Sequence, residues 1–192
     1  LKQAFDKNAN IKWTLGDVVS LPYSDEYFNG AVCSLAIHHF TDLTSAFKEI
    51  YRVIDKGNFI IFTAFPDQMQ SYWLCNYFPE MMRRSIHNMP DQKTLVTSLQ
   101  SVGFEVKNIA PFFVTNELQD MFLYSGKERP EIYFDPNVRS NISSFASICN
   151  NGELENGLSS LRADLSTGKF LSIKQKYPSL SGDYAYVVAR KN

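Results

Sequence analysis

The stretch Gly16-Asp17-Val18-Val19-Ser20-Leu21-Pro22-Tyr23-Ser24-Asp25-Glu26-Tyr27-Phe28-Asn29-Gly30-Ala31-Val32-Cys33-Ser34-Leu35-Ala36-Ile37-His38-His39-Phe40 decides the fold. It reads as an Asp at a strand end, a Leu-Pro turn, an aromatic anchor at Phe28, an apolar strand, and a histidine pair ahead of a helix. Ala31–Leu35 is a short apolar run, which suits a strand buried on both faces of a parallel sheet. Downstream, Leu43, Ala46, Phe47, Ile50, Tyr51 and Ile54 recur at helical spacing, with Asp42 as the N-cap. After a Lys56-Gly57-Asn58 turn, Phe59–Ala64 reads as another buried strand. Upstream, Asn10–Leu15 alternates and stops at Gly16, so it also reads as a strand. Strand, helix and strand in alternation predict an α/β, doubly wound sheet.

Beyond this stretch, Asp91 is placed to cap a helix carrying Leu95, Val96, Leu99 and Val102, with Gly103 at its stop. Phe104–Ile109 alternates as a strand, and Tyr184–Ala189 reads as the last one. The segment between them is far longer than a hairpin loop and needs secondary structure of its own. Asn116 is a cap for a short helix through Leu118, Met121 and Phe122, ending at Gly126. Leu154, Leu158, Leu161 and Leu165 form a second helical stripe, stopped by Gly168. The expected organisation is a core of residues 1–110 and 183–192, with 111–182 inserted as a helical cap.

Composition narrows the function. A net charge of −1 removes the basic surface of a nucleic-acid binder or of a protein held on anionic membrane. No apolar run reaches the roughly 18 residues of a membrane span. The 3 cysteines are too far apart for metal spacing, and a reduced, cytoplasmic setting is the simplest reading. With 15 Phe and 10 Tyr, the chain has enough aromatic surface for a large core and the walls of an apolar cavity.

The run from Gly16 to Phe40, with Glu49-Ile50-Tyr51-Arg52-Val53-Ile54 and Gly57-Asn58-Phe59-Ile60-Ile61-Phe62, resembles the middle of a class I S-adenosylmethionine (SAM) dependent methyltransferase domain. The type is methyltransferase type 11, found in ubiquinone and menaquinone biosynthesis C-methyltransferases. The resemblance is good over residues 1–65 and holds beyond them in outline. It implies a Rossmann-like sheet of order 3-2-1-4-5-7-6 whose final two strands form an antiparallel hairpin. It also implies a first strand with a glycine-rich loop for the methionine part of SAM. No Gly-x-Gly stands in this chain, and Leu1–Ala4 reads as the end of a helix. The sequence therefore reads as a domain entered at its middle, with the first two strands missing. As it stands it is expected to bind SAM poorly, and to bury the faces of Ile11–Leu15 and Ala31–Leu35 only by rearranging the sheet or by pairing with another chain, a homodimer being one form.

The resemblance assigns roles residue by residue. Gly16, Asp17 and Val18 fall where the adenine is held, with the Asp17 carboxylate accepting from its exocyclic amine. The other reading of Asp17 is a turn or cap residue. Ser34, Leu35 and Ala36 fall against the methionine portion. Leu21-Pro22-Tyr23 and Phe28 are structural. His38 and His39 are adjacent, so their side chains are expected to diverge. One of them can take a proton from a methyl acceptor; the alternative is an imidazole that orders the loop. Trp73, Tyr77 and Phe78 follow the second buried strand, and together with Phe112 and Phe113 they are the expected walls of an acceptor site, though each also suits the core. Arg83, Arg84 and His87 suit either an anionic group or solvent. Glu49 and Arg52 read as a surface pair worth tenths of a kcal/mol.

These assignments point to methyl transfer to a small organic acceptor. Two rival classes remain. A short-chain dehydrogenase needs Tyr-x-x-x-Lys, which Tyr51-Arg52-Val53-Ile54-Asp55 does not supply. A non-catalytic, methyltransferase-like interaction module would be separated from the enzyme by the sequence ahead of Leu1.

Overall fold

A computed structural model describes residues 11–192. Its sheet has four strands in the order β1-β2-β4-β3. β1 (Phe28–Ser34) runs parallel to β2 (Ile54–Thr63). β4 (Tyr184–Lys191) lies antiparallel between β2 and β3 (Glu105–Phe112). This is the 4-5-7-6 end of the family order, hairpin included.

Two helices cover one face. In α1 (Leu43–Val53) the Asp42 carboxylate accepts from the amides of Thr44 and Ser45. α2 (Pro66–Gln70), α3 (Leu74–Tyr77) and α4 (Pro79–His87) follow β2. In α5 (Gln92–Ser101) the Asp91 carboxylate accepts from Thr94 at 2.6 Å. Each cap satisfies donors that the first helical turn leaves unpaired. Phe47 and Ile50 from α1, and Leu95 and Leu99 from α5, meet Phe59 and Val187 of the sheet in one core cluster.

The segment between β3 and β4 makes a second core. It carries a 3-10 turn (Pro130–Phe134), α6 (Pro136–Ser140), a π turn (Ser144–Ile148), α7 (Asn151–Ser166) and α8 (Lys169–Lys174). Tyr124, Tyr133, Phe145 and Leu161 pack there on Trp73 and Phe78. The leucine stripe of α7 stands as expected, and Gly168 follows it at φ 75°.

Four expectations are corrected. First, residues 11–15 form no strand, and Ile11 and Leu15 stay 47% and 80% exposed. Among the described residues no strand flanks the outer edge of β1, so the segment lacks a ladder to join. Asn10 and the helix end at Leu1–Ala4 lie outside the described residues. Second, Lys56-Gly57-Asn58 is not a turn but part of β2, paired with β4 through Gly57 and Lys191. A Cβ on Gly57 would stand 1.9 Å from the carbonyl oxygen of Asn29, so glycine here serves a close strand approach, not a bend. Third, no helix forms over residues 116–126. Fourth, Glu49 and Arg52 do more than decorate a helix. Glu49 accepts from the Leu21 amide at 2.8 Å and Arg52 donates to the Leu21 carbonyl at 3.2 Å. Arg52 also bridges Glu49 and Asp25, so the pair clamps the Leu21-Pro22 turn onto α1.

The Gly57 contact is open to direct measurement. Gly57→Ala should destabilise the protein by about 3 kcal/mol, because the clash is with backbone that cannot rotate away. Gly168→Ala meets nothing within 4 Å and should cost about 1 kcal/mol, for its left-handed φ alone. Urea unfolding of the two variants would check the ranking, and equal costs would contradict it.

Candidate functional site

Parallel strands in an open α/β sheet leave their carboxyl ends free for ligands. Here β1 ends in a strained backbone. Leu35 takes φ 49°, a left-handed value that costs a non-glycine residue about 1 kcal/mol or more. Its amide still donates to Phe62 at 2.8 Å, so the chain stays tied to β2 while it turns away. A 3-10 turn (Ile37–His39) follows at once.

A cavity of about 830 Å³ opens at this edge. Ser34, Leu35, His38 and His39 line it from the end of β1. Phe62, Phe112, Tyr184 and Tyr186 line it from the sheet, and Phe122 from the segment between β3 and β4. These rings form one cluster: Phe62 lies 5.3 Å from Phe112, 4.8 Å from Tyr186 and 5.9 Å from Phe122, centroid to centroid. Further round, Ser85 and Asn88 follow from α4, and Asn141 and Ser144 from the inserted segment.

The tight turn brings the two histidines together. Their ring centroids are 4.0 Å apart and both residues line the cavity, so the expected divergence is corrected. Strand or regular helix would separate neighbours, but the 3-10 turn does not. Burial, helped by the adjacent His39 imidazole, holds His38 below its ordinary value. A neutral, proton-accepting imidazole is therefore its state near pH 7. Cys33 is different: burial pushes its thiol up to about 11, which leaves it inert as a nucleophile.

The other expected site residues divide. Phe112 lines the cavity, whereas Phe113 is exposed and does not. Trp73, Tyr77 and Phe78 lie buried behind it in the second core, with the Trp73 indole donating to Lys127 and the Tyr77 hydroxyl to Asp164. Ala36 is half-buried beside the lining. Gly16 and Asp17 are exposed and outside the cavity; Val18 is half-buried against the first core. One Asp17 oxygen accepts from Val19 at 3.1 Å, which makes it a turn residue with its second oxygen free of partners among the described residues. Arg83 pairs with Glu80 and Arg84 donates to Ile148, and neither lines the cavity.

Sequence reasoning passed over Tyr184 and Tyr186, although their i, i+2 spacing in a strand puts both on one face. It also passed over Ser85, whose signal was a lone hydroxyl one turn beyond the buried Met81.

Strand order, the antiparallel last strand and a ligand-sized cavity at the carboxyl ends define a class I methyltransferase fold. Residues 1–62 match the family model for the methyltransferase domain. The ubiquinone/menaquinone biosynthesis C-methyltransferase UbiE of Caulobacter sp. (strain K31) is 29% identical over 122 residues, covering 53% of this chain and 48% of its own length. The demethylmenaquinone methyltransferase of Corynebacterium kroppenstedtii is 25% identical over 119 residues, 52% of each chain. A crystal structure from Anabaena variabilis, assigned as a methyltransferase of an antibiotic biosynthesis pathway, superposes with a TM-score of 0.84 at 29% identity. It covers 96% of this chain and 75% of the other. The chain is thus similar to SAM-dependent methyltransferases, and it spans about half the length of the curated relatives it matches.

The histidine pair gives a pH prediction. In NMR titrations His38 should lose its proton below the ordinary 6.5. His39→Ala should raise that value only in part, since burial is the larger cause. Because the folded state resists protonation of His38, stability should hold above about pH 6.5 and decline as pH falls from there through the depressed folded value. An unshifted or raised His38 titration would contradict the assignment.

Proposed function

We propose that this chain forms the acceptor side of a SAM-dependent methyltransferase that acts on a small organic molecule. The observation that carries the reading is the cavity at the carboxyl edge of β1 and β2, walled by aromatic rings and flanked by two imidazoles. The UbiE-like relatives and the Anabaena structure support the chemistry, and the lack of lysine and arginine in the lining among the described residues supports a small molecule over nucleic acid.

Parts of the chain suit the cofactor. The free oxygen of Asp17 is an acceptor of the kind an exocyclic amine needs, with Val18 for apolar contact. Ser34 and Leu35 bring backbone groups to the cavity at the turn. When bound, SAM supplies an electrophilic methyl group. The residues of this chain do the rest. The aromatic rings hold the acceptor in a dry, oriented position, where most of the rate gain of an in-line displacement lies. His38 or His39 accepts the proton that the acceptor loses.

Calorimetric titration of SAM into the protein at its natural length should show binding that Asp17→Ala weakens about tenfold. With an acceptor found by S-adenosylhomocysteine release, His38→Asn or His39→Asn should lower turnover about 100-fold or more. Failure to bind SAM would overturn the reading.

A further inference from the structure

On the wall that α4 and the π turn share, Ser85 and Ser144 stand in hydroxyl contact, Oγ to Oγ at 2.9 Å. They are 5% and 6% exposed, and both line the cavity. Among the described residues each hydroxyl has only the other as a partner. Two hydroxyls joined by one hydrogen bond use one proton between them, whichever donates, and one proton is left over. Left unmet in a buried site, such a donor costs about 1–3 kcal/mol. Water or a ligand atom must take it. The π turn, closed by the Cys149 amide donating to the Ser144 carbonyl at 2.9 Å, is what aims Ser144 at α4. Wide turns of this kind recur at functional sites.

The rest of the lining defines what can sit there. Asn88, Asn141 and Ser143 add neutral donors and acceptors. Among the described residues no lysine or arginine lines the cavity, and Asp120 is the one carboxylate that does. An anionic ligand would be desolvated without a counter-charge, which is strongly unfavourable. A neutral oxygen can both accept the spare serine proton and donate to a serine lone pair. Phe62 and Tyr186, tilted by 31° to each other, with Phe112 edge-on to both, give a planar apolar body its seat.

We propose that Ser85 and Ser144 recognise an uncharged oxygen on the acceptor and make the cavity selective for neutral, oxygenated rings. The inference rests on the methyltransferase reading for calling that ligand the acceptor; the recognition itself needs only the cavity. The test compares three probes of one shape on the full chain: 4-propylphenol, propylbenzene and 4-propylbenzoate, titrated by calorimetry without SAM. The phenol should bind about tenfold tighter than propylbenzene, the ratio one hydrogen bond gives. The benzoate should bind more weakly than both. Ser85→Ala and Ser144→Ala, checked by circular dichroism melts to be folded, should remove the preference for phenol and leave propylbenzene binding unchanged. A preference that survives in both variants, a preference for benzoate, or binding of none of the probes at millimolar concentration would overturn the proposal. SAM binding without this selectivity defeats the proposal alone. Selectivity without SAM binding supports it and defeats the methyltransferase reading alone.

Discussion

A single buried carboxylate closes the neck of the inserted segment. Asp183 is fully buried where the chain returns to the sheet. It accepts from the Val114 amide at 2.8 Å, from Lys127 at 2.8 Å and from the Ser179 hydroxyl. Its own amide donates to Phe112, and its carbonyl accepts from the Tyr72 hydroxyl. The last residue of β3 and the second of the following segment, Val114, are thereby fixed to the residue that precedes β4. Burying a carboxylate is costly unless every oxygen is satisfied, and here the partners come from both sides of the neck. The long excursion between the hairpin strands is thus closed at its base, which limits the entropy its length would otherwise release.

The rigidity of that neck passes to the cavity. Tyr72 stacks on Tyr124 with centroids 3.9 Å apart, and burial pushes the Tyr72 phenol well above its ordinary range, so it acts as a fixed neutral donor. Gln68 accepts from the Phe65 amide and donates to the carbonyls of Ser181 and Tyr184. Tyr184 in turn accepts from the Tyr124 amide. Side chains from the residues after β2 therefore hold the inserted segment and β4 in one register, and Tyr72 and Tyr184 are themselves cavity walls. The space for a ligand is set by hydrogen bonds behind its lining, which tolerate little displacement.

What was legible in the sequence was local. Asp42 and Asp91 announce their helices because an N-cap needs only amides two or three residues on. The apolar run of β2 reflects burial from Phe59 onward, whereas β1 is covered on one face only, with Val32 72% exposed, so the expectation of a strand buried on both faces fails there; the last hairpin is implied by the family resemblance. The failures are all non-local. The helix expected over 116–126 is absent because remote partners take its backbone groups: Arg129 donates to Leu118, Tyr133 donates to Leu123, and the Gly126 amide donates to Tyr133. An i to i−4 ladder cannot compete once its carbonyls are claimed this way. Gly57 reads as a turn until Asn29 is placed against it. Trp73, Tyr77 and Phe78 have the composition of a binding wall, but only packing distinguishes a wall from the core behind it. The serine pair joins residues on separate elements, and no spacing rule would link them.

The strained Leu35 shows how fold and site are connected. A left-handed non-glycine residue persists only where its surroundings over-determine it. At Leu35 the constraint is the hydrogen bond to Phe62 on one side and the buried Ile37 on the other. Between them the backbone must leave the strand direction within two residues, and the 3-10 turn is the tightest helical path available. That path is what sets the two imidazoles side by side at the cavity. Relaxing Leu35 into the extended region would continue β1 and carry His38 and His39 to opposite faces of the strand. The strain is local, small beside the total burial of the domain, and it determines whether the cavity has a base.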